Sequence, residues 1–380
     1  MDFSWNDQQR ELHDQVLSFA RARLNPALGV QESGLDRRTW GLLGEFGLTG
    51  LCAPLESGGM GFDAQTTACA MEALGRGCPD GGVFFALSAH LFAALRPIVA
   101  FGSEVLKAAT LAKLTRGEWI GANAISEAGA GSDVFALKTR AERRGDRYLI
   151  NGTKSYVTNG PLADLFVVYA VTEPKHGYLG LSAFAIPRDT RGLVIGAPFA
   201  KMGLKSAATG SLYLEDCEVP LEMRIGNEGA GAKIFKHSML WERSCLFAGY
   251  VGQMARQLER SVAYAREREQ FGGPIARHQA VSHRLADMKV RLESARLLLY
   301  RACYALDEGA RDVELHVAMA KLGISEAAIQ TNLDAMQIHG GAGYLQEVGV
   351  EQGLRDAMPA TIFSGTSEVQ RNTIAKWLGL

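Results

Sequence analysis

Apolar side chains recur at helical spacing through the first part of the chain. Leu12, Val16, Phe19 and Leu24 follow a candidate cap at Asn6 and Asp7, with Pro26 just beyond. Residues 38–46, 64–74 and 83–101 repeat the pattern, and Ser103 opens a further helix carrying Val105, Leu106 and Leu111. After residue 118 the period changes. Residues 138–142 alternate, Gly145-Asp146 can turn a hairpin, and 147–151 return. Segments 165–171, 183–186, 193–195 and 211–219 are rich in Val, Ile, Phe and Tyr and read as strands. No long helical pattern separates them, which predicts an antiparallel sandwich or barrel. From Gly229 the helical period returns in a stretch that stops at Gly272-Gly273-Pro274, then in 278–307, 315–339 and 367–378. The expected fold class is α+β: an N-terminal helical domain (1–118), a middle antiparallel β domain (119–228) and a C-terminal four-helix bundle (229–380).

Length and composition agree with several globular parts. The chain has 380 residues, 47% hydrophobic and 21% charged. Forty basic residues against 41 acidic ones suggest no polyanion partner, so no nucleic acid is expected. Six scattered cysteines show neither CxxC nor metal spacing and read as buried thiols of a reducing compartment. The most apolar run, 83–101, contains His90, Arg96 and Pro97, so a buried helix is expected there and not a membrane span. With no signal peptide visible, the expected location is cytoplasmic.

One residue breaks the stripe of the long helix. Phe235, Met239, Leu246 and Tyr250 share an apolar face, and Glu242 lies three residues after Met239 and four before Leu246, so it points where they point. No Lys or Arg stands three or four residues away to pair with it. A carboxylate taken from water without a partner has a raised pKa, which suits a general base near neutral pH. The helix alone leaves two other readings open: a basic partner from elsewhere, or a helix turned so that Glu242 is wet.

The stretch from Ala124 to Asp133, Ala-Ile-Ser-Glu-Ala-Gly-Ala-Gly-Ser-Asp, lets backbone come close to a ligand and can present N–H groups to oxygens. It is neither a Walker loop nor a GxGxxG fingerprint, and alone it reads first as a flexible loop. The stretch from Asn151 to Asn159, Asn-Gly-Thr-Lys-Ser-Tyr-Val-Thr-Asn, places an aromatic and a hydroxyl on one strand, fit to hold a flat heterocycle or simply to fill a sheet. Arg-Glu-Gln-Phe-Gly-Gly-Pro-Ile follows from Arg268, Gln-Ile-His-Gly-Gly-Ala-Gly-Tyr from Gln337, and Gly-Thr-Ser-Glu-Val-Gln from Gly365. These five segments, in this order, resemble the acyl-CoA dehydrogenase family over essentially the whole chain.

The resemblance implies FAD as cofactor. Ile125 and Ser126 would meet the flavin pyrimidine edge, Tyr156 and Thr158 would lie against the ring, and Ser132 near a flavin phosphate or the substrate's pantetheine arm. Arg268, Phe271 and Gln279 match positions that hold the pyrophosphate and adenosine of FAD in a neighbouring subunit. Gln337, Gly340 and Gly341 match a further dinucleotide contact, and Thr366 with Glu368 one near its adenosine half. A homo-oligomer is therefore implied, in this family usually a tetramer. The implied reaction is α,β-dehydrogenation of an acyl thioester. A base takes the α-proton and flavin N5 takes the β-hydride, while a ribityl hydroxyl and the backbone N–H of Ser364 bind the thioester oxygen. Electrons would pass to an electron-transfer flavoprotein.

Two departures matter. Many relatives carry a catalytic Glu immediately before Gly-Thr-Ser, and this chain has Ser364 before Gly365. A branch resembling isovaleryl-CoA dehydrogenase puts the base in a Glu-Arg pair on the long helix, where Glu242-Arg243 stand, so Glu242 becomes the expected base and Arg243 and Ser364 substrate neighbours. Relatives that use CoA often have Asp two residues before that base, and this chain has Leu240. The substrate is then a short or branched acyl thioester of CoA or of an acyl- or peptidyl-carrier protein. The rival expectations are an oxidase of the same fold using O2 and a silent thioester-binding flavoprotein. His90 and His237 are read as structural or exposed, and His339 either as a helix-end residue hydrogen-bonded to backbone or as a catalytic one.

Overall fold

The computed structural model describes residues 5–28 and 34–380. Local capping starts the N-terminal helices. The Asn6 side chain accepts from the Gln9 N–H (2.8 Å) and the Gln9 side chain accepts from the Asn6 N–H (3.1 Å), a reciprocal box that opens α1 (Asp7–Phe19). Asp36, Asp63 and Ser103 cap α2 (Arg37–Phe46), α3 (Ala64–Gly77) and α5 (Glu104–Thr115) by one bond each, accepting from the N–H of Thr39, Thr66 and Leu106. Pro26 lies inside the last helical turn and not beyond it, because the chain continues through a π-helical turn (Ala20–Leu24) to Ala27. Between α3 and α5 runs α4 (Gly81–His90), prolonged by a second π-helical turn to Phe101. The stretch Gly81–Phe101 is long and apolar enough to cross a membrane, and 72% of its most apolar window is buried inside the protein.

Eight strands form one sheet: β1 (Gly121–Ala124), β2 (Arg140–Arg144), β3 (Arg147–Thr158), β4 (Leu165–Val171), β5 (Leu181–Pro187), β6 (Leu193–Ile195), β7 (Thr209–Pro220) and β8 (Arg224–Ile225). Their order is β6-β7-β3-β2-β4-β5-β8, with β1 on β4, so the path ends at β6 and β8 and does not close into a barrel. Most neighbours are antiparallel, as expected, but β1 pairs parallel with β4, and β2 meets β4 in parallel at one pair, Arg140 with Val171. The reason is connectivity: β1 reaches β4 only through the β2–β3 hairpin, a connection long enough for parallel pairing. His90 pins the start of β1, accepting from the Gly121 N–H at Nδ1 (2.9 Å) while Nε2 lies 3.1 Å from the Thr49 carbonyl. Burial holds its pKa down at about 4, so it is a neutral structural residue.

The long C-terminal stretch is two helices, α6 (Gly231–Trp241) and α7 (Phe247–Glu267), joined through a π-helical turn, Glu242–Leu246. A small hairpin, β9 (Glu269–Gln270) and β10 (Gly273–Pro274), leads to α8 (Gln279–Asp307), α9 (Val313–His339), a short α10 (Glu351–Ala357) and α11 (Ser367–Trp377). Helix α7 crosses α3 backbone to backbone: a Cβ on Gly75 would lie 2.0 Å from the Gly249 carbonyl oxygen, so the approach demands glycine there.

Candidate active site

The apolar stripe of the long helix is buried at Met239, Leu246 and Tyr250, with Phe235 half-buried. Glu242 interrupts it where the helix itself is interrupted. The π-helical turn inserts an extra residue there, a rare distortion that recurs at functional sites. Neither reading left open by the helix alone holds, since Glu242 is half-buried and its partner is a hydroxyl. Ser364 Oγ donates to Glu242 Oε1 across 122 residues of sequence. Burial pushes the Glu242 carboxyl above the usual range, and the Ser364 hydroxyl and the Arg243 charge pull it only part of the way back.

Ser364 and Gly365 both have left-handed backbone, φ 56° and 86°. The turn they make is held by side chains: Arg243 Nε donates to the Ser364 carbonyl (2.7 Å) and Gln370 Nε2 to that of Gly365 (2.9 Å). Thr366 then caps α11 through the Val369 N–H (3.3 Å), and Glu368 stands exposed in its first turn. Among the described residues the Ser364 N–H has no partner. Phe363 packs on Phe85 of α4, the rings tilted by 53° with 4.6 Å between centroids, giving the site an apolar wall. On β4, Tyr169 is fully buried, and its hydroxyl has no partner among the described residues. Burial, and then the nearby Glu242 charge, push that hydroxyl's pKa well up.

The β domain brings a second group together. The carbonyl of Ile125 accepts from Lys154 Nζ (3.1 Å) and that of Ser126 from the Ser155 N–H (2.9 Å). A register shift between Lys154 and Val157 bulges β3, so Tyr156 takes φ 59° and stands 69% exposed, while Thr158 is half-buried. Asn159 next to it donates to the carbonyls of Ala86 (2.8 Å) and Gly121 (3.1 Å), which ties this strand end to α4 beside Phe85. Ser132 is exposed in the loop beyond. These features fit a flavin: the Ser126 N–H has no partner among the described residues, an aromatic ring is turned outward, and small residues leave backbone accessible.

A third group lies elsewhere. Arg268, Phe271 and Gln279 are exposed on and around the β9–β10 hairpin, and Phe271 is 96% exposed at φ 52°. Gln337, Gly340 and Gly341 are exposed at the end of α9, where His339 stacks on Tyr264 of α7 (4.3 Å) and the Tyr264 carbonyl accepts from the Arg268 N–H (2.8 Å). A Cβ on Gly340 or Gly341 would meet nothing within 4 Å. This end of α7 is separated from Glu242 by the length of the helix, about 30 Å.

Sequence comparison gives the family. The N-terminal, middle and C-terminal domain families of acyl-CoA dehydrogenase match residues 6–118, 122–217 and 229–379. The chain belongs to the acyl-CoA dehydrogenase family. It is 47% identical to an L-prolyl-[peptidyl-carrier protein] dehydrogenase of Pseudomonas fluorescens, over 100% of both chains. Two solved structures are similar throughout: the FAD complex of PigA (42% identity, TM-score 0.97, 100% of each chain) and the prolyl acyl carrier protein oxidase AnaB (43%, TM-score 0.95, 99% of this chain and 100% of that one). The chain is thus an FAD-dependent oxidoreductase acting on acyl thioesters. Sequence reasoning picked out Glu242 but missed Gln370, Tyr169 and Phe85, which only chain folding brings to the site.

Proposed function

We propose that the protein oxidises a small aminoacyl group, prolyl or close to it, held as a thioester on a peptidyl carrier protein, with Glu242 as the base. The Glu242–Ser364 contact carries this reading: a desolvated carboxylate, one hydroxyl away from the turn whose free N–H can bind a thioester oxygen. Hydrogen bonding from the Ser364 N–H draws charge toward that oxygen and acidifies the α-carbon, and Glu242 takes the α-proton. FAD, when bound, supplies the acceptor for the β-hydride. Ile125, Ser126, Ser132, Tyr156, Thr158, Thr366 and Glu368 would hold it, joined by Arg268, Phe271, Gln279, Gln337, Gly340 and Gly341 of a second copy. The distance along α7 supports the second copy, because one chain's two groups stand about 30 Å apart. Pairs of such dimers, a tetramer, follow the family pattern.

The carrier-protein substrate rests on the full-length likeness to a prolyl-carrier dehydrogenase and on Leu240, which packs half-buried against the core and offers CoA no polar contact. The test is one prolyl group offered on both carriers, with kcat/KM read from anaerobic flavin reduction. A preference of about tenfold or more for the carrier protein is expected; a preference for the CoA thioester would remove the carrier from the proposal. Electrons then leave to an electron-transfer flavoprotein of the cytoplasm, a reducing compartment that suits six buried free cysteines. Similarity to an oxidase favours one rival, which peroxide release during turnover without an added acceptor would reveal.

A further inference from the structure

Lys154 lies on β3 with no exposed surface, yet among the described residues its side chain bonds only to the loop after β1. Its Nζ donates to the Ile125 carbonyl (3.1 Å) and to Glu127 Oε1 (2.9 Å). Glu127 is in turn fixed by the Thr139 N–H (2.9 Å), the Thr139 hydroxyl (2.5 Å) and the Lys138 N–H (2.7 Å). One carboxylate thereby closes both ends of the loop and anchors the ammonium. Gly152 permits this closure, since a Cβ there would lie 2.4 Å from the Thr139 hydroxyl. Lys321 shows that this arrangement is specific: it is equally buried, but its Nζ has no partner among the described residues.

The peptide plane links Lys154 to the flavin loop. In a trans peptide the N–H points opposite to the C=O. The Ile125 carbonyl is held toward Lys154, so the N–H on the other side of that peptide, which belongs to Ser126, points away from β3. That N–H has no partner among the described residues. A cation hydrogen-bonded to the carbonyl polarises the same peptide and makes its N–H a stronger donor.

We propose that Lys154 is a positioning residue for the flavin: it grips the Ile125–Ser126 peptide by its carbonyl, aims the Ser126 N–H at the flavin pyrimidine edge and strengthens that hydrogen bond. The proposal rests on the reading above that Ile125 and Ser126 meet that edge. Glu127 holds the ammonium in place, and Thr139 holds Glu127. A donor strengthened in this way favours the reduced flavin, in which negative charge collects on the pyrimidine ring.

Two variants separate the hydrogen bond from the charge. Lys154→Met removes both; Lys154→Gln keeps a donor for the Ile125 carbonyl and removes the charge. FAD dissociation constants, flavin absorbance and the flavin midpoint potential are measured on the reconstituted proteins, and thermal unfolding on the apoproteins. Lys154→Met is expected to weaken FAD binding by about tenfold or more and to lower the midpoint potential. Lys154→Gln should recover part of the affinity while its potential stays low. Should Lys154→Met not fold, Thr139→Val, which removes one hydroxyl from Glu127, is expected to weaken FAD binding about threefold. Unchanged affinity, spectrum and potential in the variants, even with a lowered melting temperature, would reduce Lys154 to a packing residue and overturn the proposal. A wild-type protein that takes up no FAD would instead overturn the underlying flavin-site reading.

Discussion

Glu242 and Glu127 are both carboxylates drawn out of water, and the protein gives them opposite surroundings. Glu127 accepts four hydrogen bonds, from Lys138, twice from Thr139 and from Lys154. Burial pushes its pKa up, but Thr139, Lys138 and Lys154 together outweigh burial and hold it near about 2. Glu242 accepts one hydrogen bond, from Ser364, and there burial wins and the pKa rises. Burial alone therefore does not make a base; the number of donors that meet the charge decides. Glu127 is a permanent anion that pins a loop, and Glu242 is a carboxylate with proton affinity to spare.

The two also couple to stability with opposite sign. A folded value of about 2, below the ordinary 4.5, means that Glu127 stabilises the protein above about pH 4.5 and loses that contribution as pH falls through 2. Glu242, raised in the fold, withdraws stability as pH rises through its folded pKa.

The sharpest way to break the comparison is Glu242→Gln, which keeps size and hydrogen bonding but removes basicity. Flavin reduction by substrate is expected to fall by about a thousandfold in rapid mixing, with FAD content retained. The variant should also lose less stability than wild type as pH rises, because its amide never ionises. Reduction at the wild-type rate would move the base elsewhere. Next in size is Glu127→Ala, which strands the buried Lys154 charge. Urea unfolding at pH 7 should show a loss of about 3 kcal/mol, shrinking as pH falls from 4.5 toward 2. Equal stability at pH 7 would mean that the four hydrogen bonds add nothing net. The smallest effect is expected from Ser364→Ala, which removes the larger of the two influences holding the Glu242 pKa down. The pH profile of flavin reduction should move to higher pH, with a plateau within about tenfold of wild type. A profile that stays in place would show that Ser364 does not tune the base.

Much of the fold was legible because its signals are local. Capping residues such as Asn6, Asp36, Asp63 and Ser103 act within one turn, and helical and strand periods need only neighbouring residues. Glu242 was legible for the same reason, as a charge at an apolar position of a helical repeat. Even there the sequence showed only the misfit. The π-helical turn carries no local signature that sets Glu242–Leu246 apart from an ordinary helix.

The sequence by itself determined the three-part architecture, the motifs that mark an acyl-CoA dehydrogenase and the carboxylate that has no business on its stripe. Only the tertiary structure decided what each buried carboxylate became. Ser364 reaches Glu242 across 122 residues and Lys154 reaches Glu127 across 27. A pKa depends on the groups within a few ångströms of a carboxylate, and chain folding, not sequence proximity, chooses those groups.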